Sequence, residues 1–391
     1  MKQAVILAAG EGQRLRPFTV TKPKAMLSIA GQPILRYVIE SLAQNSIRNI
    51  VLVVGYRKEQ VFDYMGSGEQ FGVDITYVTQ EKQLGTAHAL AQAKGVTEDE
   101  FLVLPGDNLI EPNTIARFVE LKPEAVLAKR VDDPAIYGVL SIEEGVVKNI
   151  VEKPKQPKSN IINTGIYAFT TKVFSFIERE LDIPDALNDM LAQGYPINAW
   201  ETDGTWLDVV YPWDILSVND AILGQISAKV GGTIETGVSL KGLVLVGKDT
   251  VIRSNSYIVG PVVIGQGCDI GPNVCILSAT SIADNVVISP FTEIRNSVIG
   301  DDVSIGPGCI IQDSVIDKGC IIGGHFTACS GEAEVKVDGE YRLVKAGAML
   351  GEDCSLSDGI VAQPGVIIGN HSRINAQKLI SGWLPDGSLV V

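Results

Sequence analysis

Cations, cysteines and long apolar runs are all scarce in this 391-residue chain. Lys and Arg number 32 against 46 Asp and Glu, and the resulting net charge of −14 disfavours a nucleic-acid partner. The first cysteine is Cys268 and no CxxC pair occurs, so neither a disulfide framework nor a zinc site is expected. No run approaches the roughly 20 apolar residues that cross a bilayer, and the first residues lack the pattern of a cleavable signal. We therefore expect a cytoplasmic protein without a membrane partner.

The first 220 residues alternate runs typical of strands with runs typical of helices. The strand-like runs are QAVILAA, NIVLVVG, DITYVT and EFLVLPGD, and the helical spacing lies in PILRYVIESLAQN and TAHALAQAKG. This alternation predicts an open, mostly parallel sheet with helices on both faces. Ligands of such folds bind beyond the carboxyl ends of the strands, which is where a glycine loop and a PGDN motif fall.

After about residue 230 an aliphatic residue occupies every sixth position from Ile234 to Ile294. A fixed short period predicts stacked units, and six residues per side suit a triangular coil, so we expect a parallel β-helix. The slot two residues earlier is small or β-branched, and Cys268, Cys309, Cys320 and Cys354 occupy it as expected core residues. The period breaks near 326–348, which predicts an extruded loop. The predicted domains are therefore 1–228 and 229–391.

Four cations follow the glycine loop near the N-terminus: Arg14, Arg16, Lys22 and Lys24. A glycine loop between a strand and a helix can present backbone N–H groups to phosphate oxygens. Its G-x-G-x-R spacing matches neither the dinucleotide fingerprint nor a P-loop. Arg14 can bind a phosphate group through two parallel hydrogen bonds, and Lys24 provides a point charge on a flexible side chain. Arg16 and Lys22 are expected to be a solvated pair that adds positive potential.

The segment LAAGEGQRLRPFT…KPKAML resembles the signature of sugar-1-phosphate nucleotidylyltransferases. Further blocks follow in the order of that family, namely QEKQLGTAHAL, LPGDN, YGVL, EKP, NTGIYAF and WLDV. The six-residue period is similar to that of left-handed hexapeptide-repeat β-helices, so the resemblance covers nearly the whole chain. It is greatest to archaeal two-domain enzymes that join uridylyl transfer to amino-sugar acetylation. The implied fold is a Rossmann-like α/β sheet of the nucleotide-diphospho-sugar transferase type, followed by a left-handed parallel β-helix.

The resemblance implies Mg²⁺-dependent transfer of a nucleotidyl group from UTP or dTTP to N-acetylglucosamine 1-phosphate or glucose 1-phosphate. Asp107 and Asp208 would hold the Mg²⁺ ion. Arg14 would neutralise the leaving pyrophosphate, Lys24 would lie near the phosphates, and Lys153 would contact the sugar phosphate. The implied substrate-binding residues are Ala9, Gly10, Gly12, Gln80, Gly85, Thr86, Gly138, Glu152, Asn163 and Thr164. The residues themselves choose neither the sugar nor the base.

Several of these residues have ordinary structural explanations. Asp107 is suited to a turn, Asp208 could cap a helix, and Glu152 with Lys153 could be a solvated pair. A non-catalytic assembly subunit, like the translation-factor exchange subunits that share this two-domain plan, is a further alternative. That alternative predicts that the residues which bind phosphate and metal have been lost. Arg14, Lys24, Asp107 and Asp208 are all present.

The β-helix could serve either as a scaffold or as a second catalytic domain. Related β-helices form trimers and bind acetyl-CoA beside a histidine base, for which His325 is the candidate here. The Tyr-x-Gly-Asp block expected after such a histidine is missing from GHFTACSG. We therefore expect a scaffold that assembles the chain into a trimer or a multiple of it. Acetylation of glucosamine 1-phosphate with acetyl-CoA remains an alternative.

Overall fold

The computed structural model describes all 391 residues, which form two compact units. The first unit comprises Met1–Glu11, Lys22–Met26 and Ile34–Asp208. The second comprises Gly12–Thr21, Leu27–Pro33 and Val209–Val391. Two short segments near the N-terminus therefore pack with the C-terminal half of the chain.

Thirteen strands precede the repeats. They are β1 (Gln3–Ala8), β2 (Ser28–Ile29), β3 (Gln32–Pro33), β4 (Asn49–Val54), β5 (Asp74–Thr79), β6 (Glu100–Pro105), β7 (Asn108–Ile110), β8 (Ala125–Arg130), β9 (Gly138–Glu143), β10 (Val146–Glu152), β11 (Ile161–Thr170), β12 (Asn198–Thr202) and β13 (Trp206–Asp208). Nine of them form one sheet in the order β5-β4-β1-β6-β11-β8-β12-β10-β9. The pairs β2–β3 and β7–β13 form two small separate sheets.

The large sheet is parallel through its first four strands, as the alternation of strands and helices predicts. Strand β11 then runs antiparallel to both β6 and β8, and β10 runs antiparallel to β9 and β12. The turn between β9 and β10 explains part of this change. Glu144 and Gly145 both have positive φ, at 50° and 77°, which is the geometry of a tight hairpin turn. A hairpin of this kind forces its two strands to be antiparallel.

The chain contains seven α-helices: α1 (Ile34–Gln44), α2 (Lys58–Met65), α3 (Thr86–Ala91), α4 (Pro112–Phe118), α5 (Phe174–Ile177), α6 (Ile183–Ala192) and α7 (Asp214–Leu223). The first six lie in the first unit and α7 lies in the second. Alternate residues of β1 enter different cores, with Ile6 in one cluster and Val5 in the other, so both faces of the large sheet are covered. No helix combines the length and the apolar character that spanning a membrane requires.

Short parallel strands in three sheets build the β-helix. The first sheet contains Lys229–Val230, Val244–Val246, Val262–Ile264, Thr280–Ile282, Val298–Ile299, Val315–Ile316, Ala348–Leu350, Val366–Ile368 and Trp383–Leu384. The second contains Thr233–Ile234, Val251–Ile252, Asp269–Ile270, Val287–Ile288, Ser304–Ile305, Ile321–Ile322, Ser355–Leu356, Arg373–Ile374 and Leu389–Val390. The third contains Ser239–Lys241, Tyr257–Val259, Cys275–Ile276, Glu293–Arg295, Ile310–Gln312, Thr327–Ala328, Val361–Ala362 and Leu379–Ile380.

The six-residue period fills the interior of this β-helix. Ile252, Ile270 and Ile288 pair in register on successive coils and are fully buried. The prediction that four cysteines fill the core is confirmed, since Cys268, Cys309, Cys320 and Cys354 are all buried. Burial raises the pKa of the Cys268 and Cys309 thiols, which disfavours the reactive thiolate.

A β-hairpin interrupts the repeats where the period breaks. Its strands, Gly331–Val337 and Glu340–Ala346, are antiparallel and are joined at Asp338 and Gly339, which both have positive φ. The hairpin is inserted between Thr327–Ala328 and Ala348–Leu350, so the coils resume their stacking after it. Its tip places a carboxylate, that of Asp338, in an exposed turn.

Candidate active site

Two carboxylates and an ammonium group meet at the small sheet of the first unit. Strands β7 and β13 pair with Asp208 opposite Asn108, which brings Asp208 close to the neighbouring Asp107. Lys24 begins a short 3₁₀ turn, forms an ion pair with Asp107, and places its Nζ 3.2 Å from Asp208 Oδ1. Three residues that are distant in the sequence thus form one charged group, here called the acid–lysine cluster.

Electrostatics hold the acid–lysine cluster in its charged form. Burial disfavours the ammonium and lowers the pKa of Lys24, but the carboxylates of Asp107 and Asp208 outweigh this effect, so that its pKa rises above the usual value. All three side chains are only about one-fifth exposed. The attraction is therefore screened less than that of a surface pair.

The same two carboxylates fit a magnesium ion. Each of them holds the Lys24 ammonium, so both can contact a single cation at the same time. Mg²⁺ favours one or two carboxylates completed by phosphate oxygens and water. No group of three or more His, Cys, Asp or Glu side chains is placed to hold a metal. The remaining ligands of an ion at Asp107 and Asp208 would thus come from substrate and solvent.

The glycine loop leaves the carboxyl end of β1 close to other strand ends. The backbone N–H of Tyr56 donates to the Ala9 carbonyl at 3.2 Å. A Cβ on Gly55 would come within 2.9 Å of Ala9 Cβ and 3.0 Å of the Gln80 carbonyl, so these backbones approach closely. A Cβ on Gly10 would meet nothing within 4 Å, so open space lies beside its exposed backbone. Such an exposed loop can approach a phosphate group.

Gly12 and Arg14 belong to the second unit. Gly12 adopts a left-handed conformation, with φ of 73°, before the 3₁₀ turn Gln13–Leu15. The Arg14 guanidinium donates through Nε to Asp338 Oδ2 at 2.8 Å, at the tip of the hairpin. Both side chains are partly exposed, so this ion pair is solvent-accessible.

Gln80 is buried, and its amide has a fixed orientation. Its Nε2 donates to the Gly85 carbonyl at 3.1 Å and lies 2.9 Å from His88 Nδ1. Because a carbonyl can only accept, Nε2 is the donor end, and His88 Nδ1 must accept from it as the unprotonated nitrogen. The other end of the amide, Oε1, is thus the end that can accept a hydrogen bond from a ligand.

The neighbouring Gly85 and Thr86 are held by the segment that precedes α6. A Cβ on Gly85 would clash with the Leu181 carbonyl, and its φ of 148° also favours glycine. The Thr86 backbone N–H donates to Asp182 Oδ1 at 3.0 Å, and the Ile183 N–H donates to Thr86 Oγ1 at 2.9 Å. The backbone N–H of Thr86 is thus already engaged by a carboxylate.

Gly138, Glu152 and Asn163 come together on the antiparallel side of the large sheet. A Cβ on Gly138 would lie 2.7 Å from Glu152 Oε2 and 3.6 Å from Asn163 Cβ. The Asn163 amide donates to Tyr167 Oη at 2.7 Å and accepts from the Gly165 N–H at 3.0 Å. Three predicted substrate-binding residues therefore share one small region.

The Lys153 side chain is about half exposed, whereas Thr164 is buried. Lys153 has a φ of 43°, which is unusual for a residue other than glycine and recurs at functional positions. Its backbone N–H donates to the Tyr137 carbonyl at 3.0 Å, and its Nζ lies 3.6 Å from Glu152 Oε1. Thr164 is buried and donates through Oγ1 to the Leu127 carbonyl at 2.7 Å. Its hydroxyl thus joins two strands.

Burial and charge act on Glu152 in opposite directions. Desolvation raises the pKa of this carboxyl, while Lys153 lowers it. Asp182 and Asp185 add a further upward effect, and the net result is a pKa raised above the ordinary value. Since Asp182 also holds Thr86, the Gln80 side and the Glu152 side of this unit are electrostatic neighbours.

His325 occupies a turn of the β-helix. Its φ of 57° is the left-handed conformation that Asn285 and Asp302 adopt elsewhere in the repeats. Its backbone N–H donates to the Pro307 carbonyl at 2.8 Å, and its exposed ring lies under Gly308 of the preceding coil. His371 is a similar exposed turn residue, with Nδ1 3.5 Å from Asp353 Oδ2.

Sequence reasoning missed four residues that shape this site: Gly55, His88, Tyr167 and Asp182. Gly55 had a visible signal, since it follows a buried strand in the same way as the glycine loop does. His88 fixes the orientation of the Gln80 amide, and its place in the helical run TAHALAQAKG does not mark this role. Tyr167 and Asp182 act only through Asn163 and Thr86, so nothing in their local sequence marks them.

Comparison with family models covers most of the chain. Residues 3–225 match the Nucleotidyl transferase model, and residues 240–381 match the model described as GMPPB C-terminal domain. The chain belongs to the nucleotidyl transferase family. The first match includes Lys24, Asp107 and Asp208, and therefore the whole acid–lysine cluster.

Full-length relatives of this nucleotidyltransferase share both of its halves. The "Bifunctional protein GlmU" of Methanococcus maripaludis is 36% identical over 99% of this chain and 96% of its own length. The "Bifunctional sugar-1-phosphate nucleotidylyltransferase/acetyltransferase" of Sulfurisphaera tokodaii is 33% identical over 95% of each chain. These enzymes support the predicted resemblance and speak against the alternative of a non-catalytic assembly subunit.

A solved structure supports the α/β fold. The crystal structure of a putative glucose-1-phosphate thymidylyltransferase from Bacillus anthracis is similar, with a TM-score of 0.53 and 33% identity. It covers 58% of this nucleotidyltransferase and 97% of its own chain. The similarity thus spans nearly all of that shorter protein.

Proposed function

We propose that this nucleotidyltransferase uses Mg²⁺ to transfer a nucleotidyl group from UTP or dTTP to a sugar 1-phosphate. N-acetylglucosamine 1-phosphate and glucose 1-phosphate are the acceptors that we expect. The observation that carries the proposal is the acid–lysine cluster, in which Asp107 and Asp208 contact one cation. The names of the Sulfurisphaera tokodaii and Bacillus anthracis proteins refer to sugar 1-phosphates and support the choice of acceptor.

The reaction requires positioning and charge neutralisation more than a protein nucleophile. An oxygen of the sugar phosphate attacks the α-phosphorus of the triphosphate, and the bond to pyrophosphate breaks in line with the attack. Mg²⁺ held by Asp107 and Asp208 would neutralise charge on the phosphate oxygens. Lys24 can move from the carboxylates to a phosphate, because its flexible side chain ends in a point charge.

The remaining side chains supply binding. Arg14 would pair with the departing pyrophosphate and Lys153 with the sugar phosphate. The Gln80 Oε1 would accept the imino N–H of uracil or thymine, because its Nε2 is already used. Glu152 and Asn163 would contact sugar hydroxyls beside Gly138, with Thr164 supporting the strand.

The test is pyrophosphate release from UTP, dTTP and other nucleoside triphosphates with a panel of sugar 1-phosphates. We expect activity only with Mg²⁺ and a sugar 1-phosphate, and a fall of at least about 100-fold in turnover for Asp208→Asn, since a metal ligand is lost. Asp132→Asn, which alters an exposed carboxylate, is the matched control. Near-normal turnover of Asp208→Asn would remove Asp208 from the proposed metal site.

Acetyl transfer is a second candidate, because full-length relatives that include the β-helix are named bifunctional. His325 would be the base in acetylation of glucosamine 1-phosphate by acetyl-CoA. Release of free coenzyme A thiol, lost in His325→Ala and retained in His371→Ala, would support this activity. No thiol release from the wild-type protein would leave the β-helix with a structural role.

We also propose that the β-helix assembles the chain into a trimer or a multiple of it. Four outward residues of its third sheet are apolar and exposed, namely Tyr257, Ile310, Val361 and Leu379. Exposed apolar residues on one face favour association. Light scattering should give a multiple of three chains, reduced by Leu379→Glu, and a monomeric mass would contradict the proposal.

A further inference from the structure

The segment Gly12–Thr21, which carries Arg14, is folded as part of the second unit. Leu15, Phe18 and Thr19 are buried, and the Thr19 hydroxyl donates to the Gly12 carbonyl at 2.7 Å. The segment is therefore a compact turn. Further hydrogen bonds join this turn to the last coils of the β-helix.

Polar side chains stack at one corner of the last coils. The backbone N–H of Glu352 donates to Asn370 Oδ1 at 2.7 Å, and the N–H of Asn370 donates to Asp386 Oδ1 at 2.8 Å. Glycine precedes the first two positions, and a Cβ on Gly351 would clash with the Asn370 amide oxygen. We call Glu352, Asn370 and Asp386 the corner ladder.

The corner ladder holds the Gly12–Thr21 segment at two points. The Asn370 amide donates through Nδ2 to the Pro17 carbonyl at 3.1 Å. The Thr21 hydroxyl donates to Glu352 Oε1 at 2.7 Å. Asn370 and Glu352 are 1% and 3% exposed, so the side chains that make these contacts from the β-helix are buried. Buried hydrogen bonds of this kind leave an unpaired polar group when one partner is removed.

We propose that the corner ladder is a positioning element for nucleotidyl transfer. Asn370 and Glu352 fix the backbone of the segment that presents Arg14 to the triphosphate, and Asp386 orients Asn370. The inference rests on the proposed role of Arg14. It assigns to the end of the β-helix a role in binding the nucleotide, in addition to any role in assembly or acetylation.

The β-helix offers a control contact of the same type, from side chain to backbone, at an exposed position in its earlier coils. The Gln266 N–H donates to Asp284 Oδ1 at 2.8 Å, and the Asp284 N–H donates to Asp301 Oδ1 at 3.0 Å. Asp301 thus accepts from the preceding coil as Asn370 does, but its hydrogen bond does not involve the Gly12–Thr21 segment. Asp301→Ala removes such a contact from the β-helix alone.

The experiment compares Asn370→Ala with Asp301→Ala in the full-length protein. For Asn370→Ala we expect the KM for the nucleoside triphosphate to rise about tenfold, while the KM for the sugar phosphate stays within about twofold. Hydrogen–deuterium exchange should become faster in peptides that cover residues 12–21. Asp301→Ala should change neither quantity.

Equal kinetics and equal exchange in the two variants would overturn the proposal. If Asn370→Ala does not fold, Thr21→Val removes the contact with Glu352 from the other side, and Thr21→Ser should restore it. Exchange is measured without substrate, so it tests the corner ladder even if the wild-type protein forms no nucleotide sugar. A lack of nucleotidyl transfer by the wild type would instead contradict the proposed function.

Discussion

Replacing Lys24 by Met removes the cation that lies between two carboxylates, and the structure predicts the consequence. At the 3.2 Å that separates Lys24 Nζ from Asp208 Oδ1, and at an effective dielectric constant of about 20, the gross attraction is about 5 kcal/mol. Removing one partner of a fully buried pair costs about 3–5 kcal/mol. Because these side chains are about one-fifth exposed, solvent screens part of the loss, and we expect about 2 kcal/mol.

Thermal unfolding measures this loss and tests the metal site in the same experiment. About 2 kcal/mol corresponds to a fall of about 4–8 °C in the Tm of a unit of this size. Added MgCl₂ should raise the Tm of Lys24→Met more than that of the wild type, since the ion no longer competes with Lys24 and binds only the folded state. In Lys24→Met combined with Asp208→Asn, the effect of MgCl₂ should be much smaller.

Lys94→Met is the control, because the ion pair between Lys94 and Glu178 is about half exposed. Exposed pairs contribute about 0–1 kcal/mol, so the control should unfold close to the wild-type temperature. Two results would refute the reasoning. One is a Tm of Lys24→Met equal to that of Lys94→Met, and the other is the same MgCl₂ shift in Lys24→Met and the wild type.

Three further predictions concern other parts of the site. Gly138→Ala places a Cβ 2.7 Å from Glu152 Oε2, so steady-state kinetics should show the KM for the sugar phosphate rising about tenfold with the KM for the triphosphate unchanged. Asp338→Asn frees Arg14 from an exposed ion pair, so titration calorimetry should show pyrophosphate binding up to about fivefold tighter at low salt; weaker binding would contradict this. Because the pKa of Glu152 is raised in the folded state, its ionised form opposes folding, and wild-type stability recovers as the pH falls through that pKa. Glu152→Gln should therefore have the higher Tm at neutral pH, an advantage that vanishes on acidification.

Local patterns in the sequence predicted much of the fold. The buried strand β1 and the glycine loop are contiguous, so their placement needed no information from elsewhere in the chain. The period from Ile234 onward predicted three-sided coils because each inward residue meets its equivalent one coil away, as Ile252 meets Ile270. The antiparallel pairing of β9 with β10 was not predicted, because the turn at Glu144 and Gly145 was not recognised as a hairpin.

The candidate site was likewise predictable from the sequence only in part. Motifs indicated Asp107, Asp208 and Lys24, and the structure brings these residues together. The orientation of the Gln80 amide was not predictable, because it depends on the ring of His88 and on the Gly85 carbonyl in three dimensions. A motif gives the identity of a side chain, whereas the end of an amide that faces a ligand is decided by its neighbours.

The six-residue period constrains the inward residues of the β-helix but not the residues at its corners. Inward positions are fully buried, so a change at Ile288 would cost core packing. At the corners, Asn285, Asp302 and His325 turn the chain with positive φ and have exposed side chains, so they are not part of the core. Polar contacts can therefore be added at corners without disturbing the core, as in the bond from Asn370 to Pro17, which joins residues 353 positions apart. Such a contact is invisible to any local pattern, since Asn370 has the sequence context of an ordinary turn residue, and only its packing against the Gly12–Thr21 segment distinguishes it.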